Sequence, residues 1–94
     1  MENKTELTQS ERTVVDVRTF AEYAESHLER SINIPLNEIP TRLDEFKGKQ
    51  NLIVCCASGI RSRKAADLLK QSGIECYDGG SWLSLKNLFA LNQQ

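Results

Sequence analysis

The residues best suited to chemistry follow one another in a single segment, CCASGIRS at positions 55–62. It lies between an apolar run and residues of helical periodicity, which predicts a tight loop from a buried strand into a helix N-terminus. A thiol at Cys56 would face the loop's backbone N–H groups and the positive end of the helix dipole, which lower a cysteine pKa and stabilise an anionic sulfur. Gly59 permits the positive φ that turns successive amides inward. We therefore predict Cys56 as the catalytic nucleophile and, as substrate-binding residues, Ala57, Ser58, Gly59, Ile60, Arg61 and Ser62.

Three cations lie at the start of the predicted helix, where acidic residues are normally the stabilising choice. Arg61, Arg63 and Lys64 add their charge to the helix dipole. Together they favour a positively charged opening of the site, which we call the mouth, that attracts thiosulfate, sulfite or another oxyanion. A structural alternative is that Arg63 pairs with Asp67 at i,i+4 and that Lys64 is only solvated. The sequence leaves that alternative open for Arg63 and Lys64 and favours anion binding by Arg61.

The first half of the chain predicts strand, helix, strand and helix. Residues 13–17 and 31–34 are short runs that predict strands. Between them, Thr19 and Glu22 have the spacing of a capping box, which predicts a helix near residues 19–26. A second helix, in which Pro40 is acceptable only in the first turn, is indicated by apolar residues at helical spacing, Leu36, Ile39, Leu43 and Phe46.

The second half continues the alternation. The apolar run at residues 51–55 is typical of a strand covered on both faces. Ser62 is expected to cap the next helix and Gly73 to end it. Residues 74–78 predict a further strand, Gly79-Gly80 a turn, and a last amphipathic helix is indicated by Trp82, Leu85, Leu88 and Phe89. The pattern predicts an α/β fold with a small, mostly parallel sheet of about four or five strands, helices on both faces, and ligands at the carboxyl ends of strands.

Length, charge and cysteine content limit the possible functions. The 94 residues suffice for one domain, which we assign to residues 13–94 after a polar N-terminal segment at residues 1–12. The net charge of −1 and the shortness of the longest apolar run, Leu52 to Ala57, argue against nucleic-acid and membrane partners. Three cysteines, two of them adjacent, fit a disulfide framework badly and predict reduced thiols and a cytoplasmic location. We expect the chemistry of the loop that carries Cys56 to require no cofactor and no metal ion.

From about Val14 to Trp82 the chain resembles a rhodanese domain. The letters DVR at 16–18 with EY at 22–23 resemble the family's opening signature, and HL at 27–28 with SINIPL at 31–36 its second. The pattern C-x-x-G-x-R-S at 56–62 resembles the active loop, and GG at 79–80 with Trp82 the closing turn. The resemblance implies a three-layer rhodanese-like fold and a thiosulfate sulfurtransferase. In it, Cys56 would take sulfane sulfur from a donor such as thiosulfate, carry it as a persulfide, and pass it to a thiol, cyanide or a protein acceptor.

Other reactive residue types have structural interpretations. Side chains alternate along a strand, so Cys55 is expected to point into the packing of the sheet, and Cys76 to be a small core thiol in a strand. His27 is expected to be structural, because transfer from a persulfide needs a thiolate rather than a general base.

Three further residues near the predicted site are expected to be scaffolding. Arg18 could pair with Glu22 and tie the first strand to the first helix. The resemblance implies that Asp16 braces the active loop rather than acting in catalysis. Trp82 is expected to fill the core.

Two other functions are compatible with the sequence. Phosphatases and arsenate reductases of related architecture use a Cys-x5-Arg loop, whereas four residues separate Cys56 from Arg61. The shorter ring of amides should close on a single sulfur atom and lose hydrogen bonds to a phosphoryl group. The remaining alternative is a non-enzymatic module that hands sulfur to, or docks on, a dedicated partner protein.

Overall fold

A four-stranded sheet lies at the centre of the computed structural model, which describes residues 12–92. Its strands are β1 (Thr13–Asp16), β2 (Ile32–Asn33), β3 (Leu52–Cys56) and β4 (Tyr77–Ser81), in the spatial order β2-β1-β3-β4. All three pairings between these strands are parallel. The strands therefore end at one side of the sheet, which we call the carboxyl edge and which holds Asp16, Cys56 and Ser81.

Helices connect and cover the strands. α1 (Phe20–Glu25) follows β1, α2 (Ile60–Gln71) follows β3, and α3 (Trp82–Asn92) follows β4. Two 3-10 helices, Leu36–Thr41 and Leu43–Glu45, lie between β2 and β3. Because α1, α2 and α3 each follow a strand closely, all three begin at the carboxyl edge.

The core occupies both faces of the sheet, which confirms the predicted α/β class with helices on both sides. One face packs α2 and the 3-10 helices onto the strands, with Val15, Val54, Cys56, Leu69 and Phe46 among its buried residues. The other face packs α3 onto the strands and buries Val14, Leu28, Ile53, Cys55, Leu85 and Phe89. Neighbouring residues of a strand point to opposite faces, so the two adjacent cysteines belong to different clusters.

Two of the predicted helix ends are confirmed. The Thr19 hydroxyl accepts a hydrogen bond from the Glu22 amide at 3.2 Å, and Glu22 Oε1 accepts one from the Thr19 amide at 3.1 Å, which is a complete capping box. α2 ends at Gln71, and Gly73 takes a φ of +80°, a conformation that ends helices at little cost for glycine. Both signals act over a few residues and need no tertiary partner.

The single helix expected from Leu36 to Phe46 is wrong in type. The structure has two 3-10 helices there, interrupted at Arg42, whose φ is −125°. Pro40 lies inside the first of them and has no N–H to donate to a longer helix. The predicted apolar positions are nevertheless inward: Ile39 and Phe46 are buried, and Leu36 and Leu43 pack against them.

The expected ends of the last strand were also wrong. β4 runs from Tyr77 to Ser81, so Gly79 and Gly80 lie within the strand rather than in a turn after it. The register against β3 slips by one residue between Val54 and Cys56, which is a β-bulge formed with the positive φ of Gly80, +71°. Cys76 lies just before β4 and is buried among core residues.

The predicted polar segment, apart from Arg12, lies outside the described residues. Arg12 is buried, and its guanidinium lies 5.5 Å from the centre of the Tyr77 ring. Within residues 12–92, no helix has the length and apolar character needed to cross a membrane.

Candidate active site

The Cys56 thiol lies at the end of β3 inside a cradle of backbone amides. Its Sγ accepts hydrogen bonds from the amide of Gly59 at 3.0 Å and from the amide of Ser62 at 3.3 Å. Burial by itself raises the pKa of this thiol, but the Ser62 amide and hydroxyl and the amides of Gly59 and Ser58 outweigh it, so the pKa is lowered from its ordinary value. The loop therefore stabilises an anionic sulfur at this position.

Gly59 explains how a loop of three residues can turn from β3 into α2. It adopts φ +100° and stands directly before the helix, with the first helical residue at Ile60. A Cβ on Gly59 would lie 3.7 Å from the Cα of Gly80, so the loop also passes close to the bulged part of β4. A side chain at Gly59 would be strained by the backbone conformation alone.

The expectation that Ser62 caps α2 was wrong, because the helix begins two residues earlier. Ser62 lies within the first turn and is fully buried. Its hydroxyl is within donating distance of Asp78 Oδ1, at 2.7 Å, and of the Gly59 carbonyl, at 3.1 Å. Asp78 Oδ1 also accepts from the Gly80 amide at 3.1 Å. Ser62 thus links the cysteine cradle to β4.

Arg61 forms an ion pair with Glu22. Nη1 and Nη2 of Arg61 donate to the two carboxylate oxygens of Glu22 at 2.7 and 3.0 Å, which joins α2 to α1 across the carboxyl edge. The hydrogen bond from Arg61 is the largest of the effects that lower the pKa of Glu22, to about 2. The carboxylate is therefore ionised at neutral pH, and it compensates one of the three cations that the sequence assigned to the mouth.

Arg18 does not pair with Glu22 as expected. It binds Asp16 instead, with Nε 2.9 Å from Oδ1 and Nη2 2.8 Å from Oδ2, and both residues are buried. Nη2 also donates to the Ser26 carbonyl at 2.7 Å, and the guanidinium lies 5.0 Å from the centre of the Trp82 ring. This pair holds β1, the end of α1 and the start of α3 together.

Cys55 and Cys76 are buried in apolar clusters, as predicted. Burial raises the pKa of Cys55 above its usual range, and nearby Asp16 adds to that effect. Burial also raises the pKa of Cys76. A cavity of about 530 Å³, lined in part by Cys76, Lys70 and Tyr77, opens at the amino ends of β3 and β4, far along the strands from Cys56.

The remaining residues that the sequence assigned to the site or to its cationic surroundings are all exposed. Ala57, Ser58 and Ile60 are exposed, and so are Arg63 and Lys64. Among residues 12–92, no ion pair joins Arg63 to Asp67, so this part of the structural alternative is not realised, whereas Lys64 is exposed as that alternative expected.

His27 lies away from the cradle, at the end of α1. Its Nδ1 is 2.7 Å from the Tyr23 carbonyl, and its ring stacks on Tyr23 with centroids 3.9 Å apart. The described residues contain no cluster of three or more His, Cys, Asp and Glu side chains that could hold a metal ion.

Two residues that shape the site were not identified from the sequence. Glu22 was interpreted as part of a capping box, as a possible partner of Arg18 and as part of the opening signature, but not as the partner of Arg61, 39 positions further along the chain. Asp78 lies directly before the glycine pair on β4. The available signal was topological: the strand predicted at residues 74–78 ends at Asp78, and the carboxyl ends of parallel strands, Cys56 among them, lie at one edge of the sheet.

Comparisons with known proteins identify the family of the chain. The sequence model of a family described as "Rhodanese-like domain" matches residues 2–84. The chain is 34% identical over 62 residues to "Putative sulfur carrier protein YrkF" of Bacillus subtilis, covering 66% of this chain and 34% of that one. It is 35% identical over 60 residues to "Sulfurtransferase" of Allochromatium vinosum, covering 64% of this chain and 56% of that one. The chain thus spans about a third and just over half of the length of these relatives.

A solved structure gives the same result for the fold. The chain superposes on a "rhodanese-related protein" from Thermoplasma volcanium with a TM-score of 0.74 and 29% identity. The superposition covers 84% of this chain and 79% of that one. The central parallel sheet with helices on both faces is therefore the rhodanese-like fold.

Proposed function

The chain belongs to the rhodanese-like domain family, and from that premise we propose that it is a sulfurtransferase that carries sulfane sulfur as a persulfide on Cys56. One observation carries the proposal. Cys56 Sγ accepts hydrogen bonds from two backbone amides at the start of α2, and these contacts favour an anionic sulfur. The relatives named as a sulfurtransferase and a sulfur carrier support the same class of chemistry.

In the first half-reaction, one sulfur atom moves from a donor to Cys56. The Cys56 thiolate attacks the outer sulfur of thiosulfate, and the Sγ–S bond forms as the donor's S–S bond breaks. Sulfite leaves with the electron pair of that bond. The product is a persulfide anion whose outer sulfur lies about 2 Å from Sγ, within the same group of amides.

In the second half-reaction, a nucleophile takes the outer sulfur. Cyanide attacks it to give thiocyanate, or a thiolate attacks it to give a new persulfide, and in both cases the Cys56 thiolate is the leaving group. No proton transfer to or from a protein residue is needed, because every reacting sulfur is anionic. This explains why a site without histidine is sufficient.

Arg61 is the cation we assign to the sulfonate end of the donor. Its two Nη atoms hold the Glu22 carboxylate, a planar arrangement that a sulfonate can also occupy. Binding then requires the sulfonate to replace Glu22 or to share the guanidinium with it. Glu22 therefore limits the affinity for anionic donors and keeps Arg61 in place between turnovers.

Intact mass spectrometry tests the proposal directly. After incubation with thiosulfate, the protein should gain one sulfur atom, lose it with cyanide or dithiothreitol, and gain none in the Cys56→Ser variant. Hydrolysis of p-nitrophenyl phosphate, measured beside thiosulfate:cyanide transfer, tests the phosphatase alternative. Cys56-dependent hydrolysis as fast as sulfur transfer, or sulfur loading that survives Cys56→Ser, would overturn the assignment.

A second candidate is a sulfur-carrier module, which the relative named as a putative sulfur carrier favours. Such a module would load sulfur on Cys56 yet turn over slowly with small acceptors. Steady-state transfer to cyanide and dithiothreitol separates the two: an enzyme gives many turnovers per Cys56, whereas a carrier gives about one.

A further inference from the structure

Exposed apolar side chains gather at the carboxyl edge. Phe20 is 71% exposed and is the first residue of α1, Ile60 is 65% exposed and is the first residue of α2, and Leu83 is 54% exposed and is the second residue of α3. We call these three side chains the apolar rim. The other large exposed apolar residues of the described chain, Ile32, Tyr77 and Leu91, lie at the start of β2, the start of β4 and the far end of α3.

Contacts between the helix starts hold the rim together. Glu22, two residues after Phe20, binds Arg61, the neighbour of Ile60. Arg18, two residues before Phe20, lies over the ring of Trp82, the neighbour of Leu83. The three helix starts that carry the apolar rim are therefore held together at the edge of the sheet at which Cys56 lies.

The charges around the rim select the chemistry of its occupant. Arg61 is compensated by Glu22, and Arg18 by Asp16. Arg63 and Lys64, in the first turn of α2, are exposed and form no ion pair with the residues described. The uncompensated charge beside the rim is therefore positive and complements carboxylates.

The position of Cys56 favours an acceptor that is guided to it. Cys56 has no exposed surface, so a surface that holds a thiol at the loop would speed its attack on the outer sulfur. Even at the roughly 150–250 Å² of an aromatic side chain, three side chains that are half to three-quarters exposed present at most a few hundred Å². That is well below the roughly 800 Å² per partner of a stable complex, and it suits a transient encounter.

We propose that the apolar rim docks a protein sulfur acceptor whose cysteine is flanked by apolar and acidic side chains. The inference rests on the proposed function of Cys56 and names its acceptor class. The acceptor's thiolate attacks the outer sulfur of the Cys56 persulfide, the new S–S bond forms on the acceptor, and the Cys56 thiolate leaves with its electron pair. The acceptor departs as a persulfide.

Cysteine peptides of equal length serve as probes. The first has leucine and glutamate beside its cysteine, and two controls replace either the leucines by serine or the glutamates by lysine. Transfer from the persulfide-loaded protein is measured for each, relative to the peptide's own reaction with a small disulfide. We expect kcat/KM to be about tenfold higher for the first peptide than for either control, about 1.4 kcal/mol.

Two positions on α3, Leu83 and Leu91, provide a matched comparison, and Phe20 on α1 adds a second position of the rim. Leu83→Ser and Phe20→Ser should each lower transfer to the first peptide by about threefold to tenfold, while Leu91→Ser should leave it unchanged. Transfer to cyanide should be the same in all three. Equal effects of Leu83→Ser and Leu91→Ser, or equal rates for the three peptides, would overturn the docking surface.

A binding measurement separates this inference from the proposed function. Loading of sulfur is recorded first by intact mass, and its failure would count against the persulfide chemistry alone. Docking is then tested on unloaded protein by NMR, with the first peptide carrying serine in place of cysteine. Amide shifts centred on Phe20, Ile60 and Leu83 support the rim, and their absence, or shifts centred elsewhere, contradicts it.

Discussion

Cys55 and Cys56 are neighbours in β3, both with no exposed surface, yet their pKa values move in opposite directions. Cys55 faces the cluster under α3, where burial raises its pKa. Cys56 faces the start of α2, where hydrogen bonds from the Ser62, Gly59 and Ser58 amides and the Ser62 hydroxyl outweigh the effect of burial and lower its pKa. Lack of exposed surface therefore does not by itself decide whether the pKa of a thiol in this fold is raised or lowered.

Nor does the presence of an arginine distinguish them. Each thiol lies near an arginine that is bound to a carboxylate, Arg18 with Asp16 beside Cys55 and Arg61 with Glu22 beside Cys56. The difference is the direction of the backbone N–H groups, which the left-handed Gly59 turns toward Cys56. Backbone geometry, rather than net side-chain charge, separates the two sites.

The largest expected effect is the loss of the Cys56 thiol, compared with the loss of the Cys55 thiol. Cys56→Ala should reduce thiosulfate:cyanide transfer by at least about a thousandfold, because the nucleophile is lost. Cys55→Ala should change it by less than about threefold and cost about 1 kcal/mol of unfolding free energy for the lost packing. Assays of both variants, with urea unfolding, measure this. If both variants stay folded and lose activity to a comparable extent, the distinction between the two thiols is contradicted.

A smaller effect is expected at the ion pair of Arg61 and Glu22, near Cys56. Arg61→Ala should lower kcat/KM for thiosulfate. The corresponding loss of transition-state stabilisation should be about 1–3 kcal/mol, the range for a lost charge-assisted contact. Glu22→Gln should act in the opposite direction and lower KM, because the competing carboxylate charge is gone. Steady-state kinetics with the two single variants and the double variant decide this.

The pH dependence of that pair sharpens the test. The pKa of Glu22 is lowered to about 2 from an ordinary 4.5. The contribution of the Glu22–Arg61 pair to the stability of the fold is therefore present at pH values above 4.5 and is lost as the pH falls toward about 2. Across the neutral range the difference between Glu22→Gln and the unmodified protein should stay constant. If both single variants lose activity alike, the pair is only a tie between α1 and α2.

Ser62→Ala should weaken the cradle without removing it. The amide that donates to Cys56 remains, but the hydroxyl that contacts Asp78 is lost. We expect sulfur loading to slow by about threefold to tenfold and the pKa of Cys56 to rise. Ser72→Ala is the matched control, since that hydroxyl bonds the Leu68 carbonyl at the far end of α2. An unchanged pKa of Cys56 in Ser62→Ala would assign Ser62 to structure alone.

The smallest effects are expected at the exposed cations. Arg63→Ala and Lys64→Ala should each change thiosulfate kcat/KM by less than about threefold, and the change should fade as salt is added, because exposed charges act through a screened field. Measuring both variants over a series of salt concentrations checks this. An effect as large as that of Arg61→Ala, and insensitive to salt, would mean a direct contact with the donor.

Features set by residues close in sequence could be predicted. Thr19 and Glu22 form their capping box within four residues, and the apolar run at 51–55 predicted the strand buried on both faces that the structure has at Leu52–Cys56. The position of Cys56 at a strand end followed from the same periodicity. These signals were sufficient for the fold class and for the place of the loop.

Features set by tertiary contacts could not be predicted. Ser62 is a good capping residue in isolation, but its amide and hydroxyl are taken by Cys56 and Asp78, and Gly59 starts the helix instead. The glycine pair suggested a turn because the local sequence does not reveal the close approach of β4 to its neighbours. A Cβ on Gly79 would lie 2.8 Å from Leu85 and 2.9 Å from Ile53.

The central claim is that backbone amides make Cys56 the anionic thiol of this domain. Two double variants test it most directly: Cys55→Ala/Cys76→Ala leaves only Cys56, and Cys56→Ala/Cys76→Ala leaves only Cys55. The rate of alkylation by iodoacetamide is measured against pH for both. We predict an inflection below the free-cysteine value of about 8.5 for Cys56 and one well above it for Cys55. An inflection at or above that value for Cys56, or the same inflection for both thiols, would contradict the account.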